Sequence, residues 1–569
     1  MKLRFSYSHI VFVCTFLAAF LPTSSSGHVP VVLYTDILSG PTKGGENGKG
    51  TYLSIFGKNL GAAASRNATK VFIGGAEVEN YRYLGPSKGR QDIQQITVQV
   101  GALGNPVLGK PIAIEVTVDG ISSEKNIYFT PNPGRLFFVD NLTGNDATGI
   151  SDNIDRPFRY VQTADLSRGL WAKIQPGDTI IMRGRGIPWT DVGFDHYFIR
   201  VQNKSGSAPR GGAGTGPITI LGYPNEDVFI QNAFVPKGGS GAISAADTDR
   251  ISKGFGSWVT IANLRIESGN GDGAINTQAG ASNWRVVNNE LTAASAIQNR
   301  NAKAGGISGN GYGQSFLGNF IHDIYCGPAG SGPLQHHGIY VDGNGSYEIA
   351  YNRIENIPGG NGFQAYNNGT NGPSVETDNI NFHHNFIQGV GKHGINLADG
   401  SGKEISVFNN LIIDTALAGI RINSTTMFGA RIYNNTVVNT NLYGSPAAGA
   451  FMNDWHLPIG ALDLRNNIFV PNRGTRYLGG SVAISSKAAS VSNNLWFGGR
   501  GDIPSMDLQP VSKDPKFVDP AKDFHLRDGS PAIDSGSSAV SNLVKNDFDV
   551  IILRPKYGGF DLGAFEFAR

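Results

Sequence analysis

The sequence predicts an all-β protein in two parts, a small β-sandwich followed by a parallel β-solenoid that takes up most of the chain. Three observations predict this arrangement: short alternating strands in the first hundred residues, an asparagine that recurs every 25 to 33 residues later on, and 77 glycines among 569 residues. The glycine content indicates many tight turns, which a chain of short strands requires.

The predicted sandwich covers residues 28–131. Apolar and polar positions alternate there in short runs, among them "TYLSIFG", "KVFIGG", "QITVQVG" and "IAIEVTVDG", and turns rich in Gly, Asn and Pro separate the runs. Such alternation is typical of strands with one buried face. A domain of about 100 residues built in this way is predicted to be a β-sandwich.

The recurring asparagine is followed, two residues later, by a bulky apolar residue, as in "VVNNEL", "IAYNRI" and "IYNNTV". The asparagines are Asn289, Asn319, Asn352, Asn385, Asn410, Asn435, Asn467 and Asn494. Their spacing suits one coil of a solenoid, in which each coil buries its apolar face only against its neighbours. Because stacked Asn side chains donate and accept hydrogen bonds along the axis, we predict a structural role for them. The regular leucine spacing of leucine-rich repeats is missing.

A short strand of the form "HGIYVDG" lies between successive asparagines. Because side chains alternate across a strand, placing Ile339 and Val341 inside puts Tyr340 and Asp342 outside. The same register sends outward, in later strands, Gln364, Tyr366, Asn396, Arg421, Asn423, Phe451 and Asn453. Stacked strands lie about 4.8 Å apart, so the first outward residues form a row roughly 15 Å long, which matches a few sugar units. This row consists of Tyr340, Gln364, Asn396 and Arg421.

Ionisable and aromatic side chains border this row. His337 and His393 occupy equivalent positions just before two of the strands, Lys392 precedes the second of them, and Trp455 follows the last strand. A solenoid requires only that its outward residues be polar. The concentration of His, Tyr, Arg, Lys and Trp over residues 336–456 therefore predicts a functional face.

Residues 130–135, "TPNPGR", are predicted to be a linker. The following "LFFVDNLTGNDATGISDN" and "IQPGDTIIMRGRG" resemble the entry coil of secreted right-handed parallel β-helix proteins of the pectate-lyase-like superfamily. "FHLRDGSPAIDSGS" and "RPKYGGFDLGAFEF" resemble the closing segments of such proteins. The resemblance implies a right-handed parallel β-helix over residues 132–569, with a C-terminal capping segment that protects the last coil.

The sandwich also carries a family resemblance. "VPVVLYTDILSGPTKGGENGKGTYLSIFGKNLG" followed by "KVFIGGAEV" resembles the immunoglobulin-like IPT/TIG domain. This resemblance implies a role in spacing or in presenting a ligand, and it implies no chemistry.

The N-terminus has the pattern of a secretory signal peptide over residues 1–27. Lys2 and Arg4 precede an apolar run, and the small residues of "PTSSSG" follow it. We therefore expect a secreted or cell-surface protein, since no later stretch is long and apolar enough to span a bilayer. A net charge of +2 does not suggest nucleic acid as a partner. Cys326 is the one cysteine after the signal, so no internal disulfide is expected, and we expect a monomer.

The β-helix resemblance also bears on function. The superfamily includes polysaccharide lyases, polygalacturonase-type hydrolases, C5-epimerases and phage tailspikes. Its lyases commonly use a Lys or Arg as base and another Arg to neutralise the sugar carboxylate, and Lys392 and Arg421 match these roles on successive coils. The "DPHD" type motif of the epimerases is missing. Hydrolysis requires two carboxylates about 5 to 9.5 Å apart, and on the row only Asp342 is well placed.

We therefore predict a polysaccharide lyase that cleaves an acidic, uronate-containing polysaccharide by β-elimination. Arg421 and Lys392 are expected to neutralise the carboxylate, and Tyr340 with His337 or His393 to transfer protons. Sugar-binding roles fall to His336, which is expected to be exposed, and to Asp342, Gln364, Tyr366, Asn396, Asn423 and Trp455.

Four oxygen-bearing side chains near the row are candidate ligands for Ca²⁺. They are Asp342, Asp399, Asn423 and Asn453. Calcium binds such oxygen ligands, but the sequence contains no D-x-D-x-D-G loop, so Ca²⁺ is left open as a cofactor and none is assigned. The alternatives to a lyase are a β-helix hydrolase or C5-epimerase, and a non-catalytic surface protein that binds glycans or mediates adhesion.

Overall fold

A computed structural model describes residues 28–568 with several internal exceptions. The exceptions are 64–67, 102, 104–105, 191–196, 202–211, 213, 232–241, 246–255, 269–272, 278–280, 294–304, 326–335, 344, 367–376 and 401. The predicted signal peptide and Cys326 lie outside the described residues. No helix of the described residues is long and apolar enough to cross a membrane.

The N-terminal part is a β-sandwich of two sheets. The strands of the first sheet, in spatial order, are Val31–Thr35, Tyr52–Lys58, Gln94–Gln99 and Asn80–Pro86. Those of the second are Ser39–Gly40, Ile127–Pro131, Ile112–Val118, Thr69–Ile73 and Ala76–Glu77, with Ile121–Ser122 beside Ile112–Val118. Inward residues such as Ile55, Val98 and Val116 are fully buried between the sheets, as the alternation predicts.

The rest of the described chain winds through three parallel sheets, here called A, B and C in the order in which each coil visits them. Sheet A contains Ile199–Val201, Ile243–Ala245, Ile275–Thr277, Gly305–Gly309, His337–Asp342, Phe363–Tyr366, Ile395–Leu397, Ile420–Ile422, Gly449–Asn453 and Arg476–Gly479. Sheet B contains Leu136–Val139, Thr179–Met182, Ile218–Gly222, Val259–Ala262, Trp284–Val287, Gln314–Leu317, Gly345–Ala350, Asp378–His383, Ser406–Phe408, Ala430–Tyr433, Leu462–Arg465 and Ala489–Ser492. Sheet C contains Phe229–Gln231, Arg265–Glu267, Glu290–Thr292, Phe320–His322, Arg353–Ile357, Phe386–Val390, Leu411–Thr415, Thr436–Thr440, Ile468–Val470 and Leu495–Trp496.

The remaining described elements are small. They are the 3₁₀ helices Glu46–Gly48, Trp171–Lys173 and Ser538–Val540 and the paired strands Phe517–Asp519 and Asp523–Leu526. The predicted fold, a β-sandwich followed by a parallel β-helix, is therefore confirmed.

The turn between sheets B and C explains the asparagine repeat. It has two residues in each described coil from residue 262 onward, and the first adopts a left-handed conformation, as at Asn409 with φ 50°. Asparagine tolerates this conformation better than most residues. The second residue, here Asn410, donates from its amide to Phe382 O at 3.0 Å and to Asn435 Oδ1 at 2.9 Å. Its Oδ1 accepts the Asn385 N–H at 3.0 Å, so the side chains form a continuous ladder.

One strand of sheet A departs from the predicted register. Ile420 is paired with Phe451 and Arg421 with Met452, so the strand Gly449–Asn453 is shifted by one residue relative to the repeat. A shift of one residue moves every side chain to the opposite face of a strand. Phe451 and Asn453, which the repeat placed outside, are therefore buried, and Met452 faces outward.

The sandwich covers the outer face of sheet B. Its Tyr34, Tyr52 and Phe56 form one apolar cluster with outward sheet B residues such as Leu221 and Leu317. The predicted linker is not an open connection, because Asn132 is buried and donates a hydrogen bond to Ser39 Oγ at 3.0 Å. The sandwich is thus packed on the β-helix along its side.

The C-terminal segment covers the later coils. Its Phe517, Phe524 and Phe565 pack on outward sheet C residues, among them Leu411 and Val438. Other residues of the segment, Val540 and Phe560, pack on Phe408 and Tyr433 of sheet B. The segment therefore runs along the outside of two sheets, where the sequence predicted a cap on the last coil.

The sandwich and the C-terminal segment meet at Arg90. The Arg90 guanidinium is buried, donates to Phe548 O at 2.8 Å and lies over the Phe548 ring. Neither apolar cluster includes outward residues of sheet A. The connections that border sheet A are also long, with 16 residues between Val201 and Ile218 and 14 between His322 and His337. Long connections on a rigid scaffold commonly carry function, so sheet A is the face to examine.

We expect Asn410→Ala to lower the free energy of unfolding by about 2–4 kcal/mol, because it leaves buried backbone groups of two neighbouring coils without partners. Urea unfolding followed by circular dichroism measures the change. The matched control is Asn126→Ala, at an exposed position in the sandwich. Equal stability of the two variants would show that the ladder does not hold the coils together.

Candidate active site

A row of side chains follows the outer face of sheet A. Residues paired in register across successive strands are Ser308, Tyr340, Gln364, Asn396, Arg421 and Met452. The four residues that the alternation predicts to be neighbours are therefore neighbours. The row is polar up to Arg421 and becomes apolar at Met452.

Hydrogen bonds join the middle of the row into one chain. Gln364 Oε1 accepts from Asn361 Nδ2 at 2.7 Å and from Asn396 Nδ2 at 3.0 Å. Asn396 Oδ1 in turn accepts from Arg421 Nη1 at 3.4 Å. Because each amide is held by its neighbours, the row presents fixed donors and acceptors along the sheet.

Arg421 is held by a carboxylate that the sequence reasoning missed. Asp454 Oδ2 accepts from Arg421 Nε at 2.8 Å and lies 2.7 Å from Nη2. Asp454 Oδ1 accepts the backbone N–H of Ser481 at 3.1 Å. The repeat placed Asp454 on the inner side, and the one-residue shift of its strand brings it to the outer side. A search for an acid next to the predicted cation, in either register, would have found it.

The two predicted histidines belong to a ladder at the turn that enters sheet A. His337 Nδ1 accepts the backbone N–H of Asn361 at 3.2 Å, and His393 Nδ1 accepts that of Ala418 at 3.2 Å. Between them, Asn361 Oδ1 accepts the backbone N–H of His393 at 3.0 Å. Since Nδ1 is an acceptor, the remaining proton of each neutral ring lies on Nε2.

Burial and nearby cations keep both rings uncharged. Burial, together with the charge of Lys392, lowers the pKa of His337 to about 3. The pKa of His393 is likewise far below its ordinary value, because of burial and the charges of Arg421 and Lys392. At neutral pH both histidines are therefore hydrogen-bond donors through Nε2 and poor proton acceptors.

Tyr340 and Asp342 form a second polar pair at the other end of the row. Burial raises the pKa of Asp342, and a hydrogen bond from Tyr340 partly offsets this shift. Asp342 Oδ1 is buried and has no hydrogen-bond partner among the described residues. The ring of Tyr340 stacks with that of His337 at 5.7 Å between centroids. A carboxyl group whose pKa is raised holds its proton to higher pH and is therefore better suited to act as an acid.

The remaining predicted residues differ in accessibility. His336, which was expected to be exposed, is buried with 4% of its surface accessible, because it lies where the chain enters sheet A. Tyr366 and Asn423 are half-buried on the outer face, and Trp455 is 46% exposed beyond the end of its strand. Direct contact of His336 with a substrate would require the enclosing residues to move.

Three of the four candidate calcium ligands, Asp342, Asn423 and Asn453, are not brought together. Asp342 is in register with Tyr366 of the next strand. Asn423 follows a strand that lies three strands from that of Asp342, which is about 14 Å at the usual strand spacing. Asn453 Nδ2 donates to Trp455 O and Val482 O, and its side chain is buried. Across the described ranges, no group of three or more His, Cys, Asp or Glu side chains is placed to hold a metal ion.

Comparisons with known families agree with the architecture. Residues 35–131 match the IPT/TIG domain, and residues 305–495 match the right-handed β-helix region. The chain joins an IPT/TIG domain to a right-handed β-helix. The second match includes the whole candidate site. No curated protein sequence matches the chain.

Solved structures similar to this chain include several β-helix enzymes. An exopolygalacturonase of family 28 from Yersinia enterocolitica is 13% identical, with a TM-score of 0.43, over 83% of this chain and 92% of that one. A rhamnogalacturonan lyase is 14% identical, with a TM-score of 0.35, over 68% and 91%. The A-module of a mannuronan C-5 epimerase from Azotobacter vinelandii is 11% identical, with a TM-score of 0.27, over 59% and 86%. The activities named for these three proteins differ from one another.

We expect the double substitution His337→Asn and His393→Asn to leave the protein folded, because Asn361 fills the equivalent position in the intervening coil. The folded-state pKa of each histidine is depressed, so its contribution to stability is present above about pH 6.5 and is lost as the pH falls. Acidification from about pH 6.5 to 5 therefore lowers the free energy of unfolding by roughly 2 kcal/mol for each buried histidine.

Melting temperatures at several pH values measure this effect. Wild type should lose stability on acidification more steeply than the double variant, which retains the acid sensitivity of the buried His384. Parallel curves for the two proteins would contradict the neutral, buried state of the ladder histidines.

Proposed function

We propose that the protein is a polysaccharide lyase that cleaves a uronate-containing polysaccharide by β-elimination on the outer face of sheet A. The observation that carries the proposal is Arg421, a cation held in the row by Asp454 through Nε and Nη2. Its Nη1 donates to Asn396 Oδ1 at 3.4 Å. The fixed orientation suits the recognition of a planar carboxylate, which an arginine binds through paired N–H groups.

Neutralising the carboxylate is the step for which Arg421 is suited. A sugar carboxylate bound at Arg421 makes the hydrogen on the adjacent carbon more acidic, since the negative charge that develops on proton removal is stabilised. The same charge lowers the pKa of His393, which supports a positive potential at this part of the face.

Lys392 is the proposed base. It precedes the strand Ile395–Leu397, next to the strand of Arg421, and its charge acts on both His337 and His393. In its neutral form, Lys392 would remove the proton from the carbon beside the carboxylate, a carbon–carbon double bond would form as the bond to the glycosidic oxygen breaks, and the resulting ammonium group would protonate the departing oxygen. The neutral histidines His337 and His393, which are 4% and 6% exposed, are assigned to the turn ladder that supports this part of the face. Tyr340, three strands from Arg421, is assigned to a different sugar unit of the same chain.

The remaining row residues are proposed to hold the polysaccharide along the sheet. Gln364 and Asn396 supply amide donors and acceptors, and Tyr366 and Trp455 supply ring faces for sugar stacking. A secreted or surface location, as the N-terminal sequence predicts, agrees with a polymeric substrate that cannot enter a cell.

We expect Arg421→Gln to lower kcat/KM by about 100-fold or more, because it removes the charge that stabilises the transition state. The assay follows the ultraviolet absorbance of the unsaturated uronate during incubation with alginate, pectate, chondroitin and hyaluronan. The matched control is Arg431→Gln, which removes an arginine from sheet B in the same coil. Equal losses in both variants, or binding of glycans with no cleavage by wild type, would overturn the lyase proposal.

A hydrolase is the second candidate, and Asp342 is the observation that favours it. Its raised pKa and its hydrogen bond from Tyr340 suit a general acid. Asp399 follows the strand Ile395–Leu397, which lies two strands from the strand of Asp342. At the usual strand spacing these strands are about 10 Å apart, which is near the upper limit for the two carboxylates of an inverting hydrolase.

Asp342→Asn separates the two mechanisms. In the lyase, it should change kcat/KM only a few-fold, because Asp342 lies away from Arg421. In a hydrolase, loss of the general acid should cost about 10²–10⁴-fold. New reducing ends without ultraviolet absorbance in wild type, lost in this variant, would establish hydrolysis in place of elimination.

A further inference from the structure

Gln364 is a half-buried amide in the middle of the row, and its oxygen already has two partners within the protein. Gln364 Oε1 accepts from Asn361 Nδ2 at 2.7 Å and from Asn396 Nδ2 at 3.0 Å. An amide oxygen has two lone pairs, so this acceptor is fully used. No described residue accepts a hydrogen bond from Gln364 Nε2. The two N–H groups of this amide are therefore available to water or to a ligand.

Arg421 fixes the orientation of the amides from one end of the row. A guanidinium group can only donate hydrogen bonds, so the Asn396 atom that faces Arg421 Nη1 at 3.4 Å must be the oxygen. The nitrogen of Asn396 then faces Gln364 and requires an acceptor there. Reversal of the Gln364 amide would bring two donor groups face to face, with no hydrogen bond between them.

Asn361 fixes the same orientation from the other side. The backbone N–H of His393 donates to Asn361 Oδ1 at 3.0 Å, so the nitrogen of Asn361 is the atom that faces Gln364. Asn361 is 1% exposed, and its own backbone N–H donates to His337 Nδ1. A polysaccharide on the outer face does not reach it. Two independent anchors, a guanidinium and a backbone N–H, therefore hold the Gln364 amide in one orientation.

A side chain that can only donate distinguishes between the substituents of a sugar. A hydroxyl group both donates and accepts, so at Gln364 its oxygen would gain a partner and its proton would not. A carboxylate or a sulfate ester presents oxygens that only accept. Hydrogen bonds to a charged oxygen are roughly twice as strong as those to a neutral one. The N–H groups of Gln364 therefore suit an oxyanion better than a hydroxyl group.

We propose that Gln364 is a specificity-determining residue that binds an oxyanion, the carboxylate or the sulfate ester of a sugar unit that neighbours the one at Arg421. Gln364 lies two strands from Arg421, which is about 10 Å at the usual strand spacing and suits a neighbouring unit. Asn361 is a positioning residue that acts through Gln364. The inference rests on the proposed function of Arg421, and it narrows the substrate to a polysaccharide with anionic groups on neighbouring units.

Calorimetry with three matched oligosaccharides tests this assignment. They share one uronate, taken from the panel polysaccharide that wild type binds most tightly, and differ at the neighbouring unit, which carries a carboxylate, a sulfate ester or a neutral hydroxyl group. Wild type should bind at least one anionic form about 10-fold or more tighter than the neutral form. The tighter of the two anionic forms identifies the source of the oxyanion.

Two substitutions remove the preference in different ways. Gln364→Glu keeps an oxygen for Asn361 and Asn396 and replaces the donating N–H groups by a charged oxygen. It should abolish or reverse the preference, while binding of the neutral oligosaccharide persists. Asn361→His keeps an acceptor for the His393 N–H, since histidines fill this position in the neighbouring coils, and removes the donor to Gln364. It should lower the preference by about 3-fold or more.

Kinetics separate a binding role from a role in the reaction. Where cleavage occurs, both variants should raise KM for the anionic oligosaccharide and leave kcat unchanged, because Gln364 binds a unit apart from the reacting carbon. Gln509→Glu is the matched control, since Gln509 is exposed beside the turn between sheets B and C and its Oε1 accepts from Asn493 Nδ2 at 3.0 Å. The control should keep the wild-type preference.

Equal binding of the three oligosaccharides by wild type, or an equal loss for all three in Gln364→Glu, would overturn the role of Gln364. An unchanged preference in a folded Asn361→His protein would overturn the positioning role of Asn361. Absence of cleavage with a preserved preference would instead refute the lyase proposal and leave the oxyanion site in place.

Discussion

The asparagine ladder is the interaction on which the rest of the structure depends. Each ladder side chain satisfies backbone groups of its own coil and of its neighbours, and the preceding left-handed residue turns the chain within two residues. Because the corner between sheets B and C is constant, the strands of all three sheets stack in register. A row of aligned side chains on sheet A is a direct consequence of that constancy, since a slip at the corner would scatter the row.

The three sheets have different outer faces because different parts of the chain cover them. The sandwich buries apolar side chains on sheet B, and the C-terminal segment does so on the later strands of sheets B and C. Sheet A carries polar residues in register, and its bordering connections vary in length. With the proposed function, stability and recognition are assigned to different faces, so the recognition face can change while the covered faces hold the coils together.

The repeat was sufficient to predict the fold and most of the row, because alternation and the asparagine spacing are local patterns. It could not predict the extra residue in the strand Gly449–Asn453, so Phe451 was placed outside and Asp454 was missed. The burial of His336 and the docking of the sandwich depend on contacts between distant parts of the chain. Arg285, for example, donates to backbone oxygens of Thr35 and Asp36, and no local pattern encodes that contact.

Arg90 joins the sandwich to the C-terminal segment, because its partner Phe548 lies 458 residues later in the sequence. During synthesis the sandwich is complete long before Phe548 has been made, so the contact between Arg90 and Phe548 can form only after the C-terminal segment has been synthesised. Until then, part of the outer face of sheet B remains unprotected. In a nascent chain that lacks the C-terminal segment, the Arg90 guanidinium would keep its ion pair with Asp92 but would lack its hydrogen bond and ring contact with Phe548.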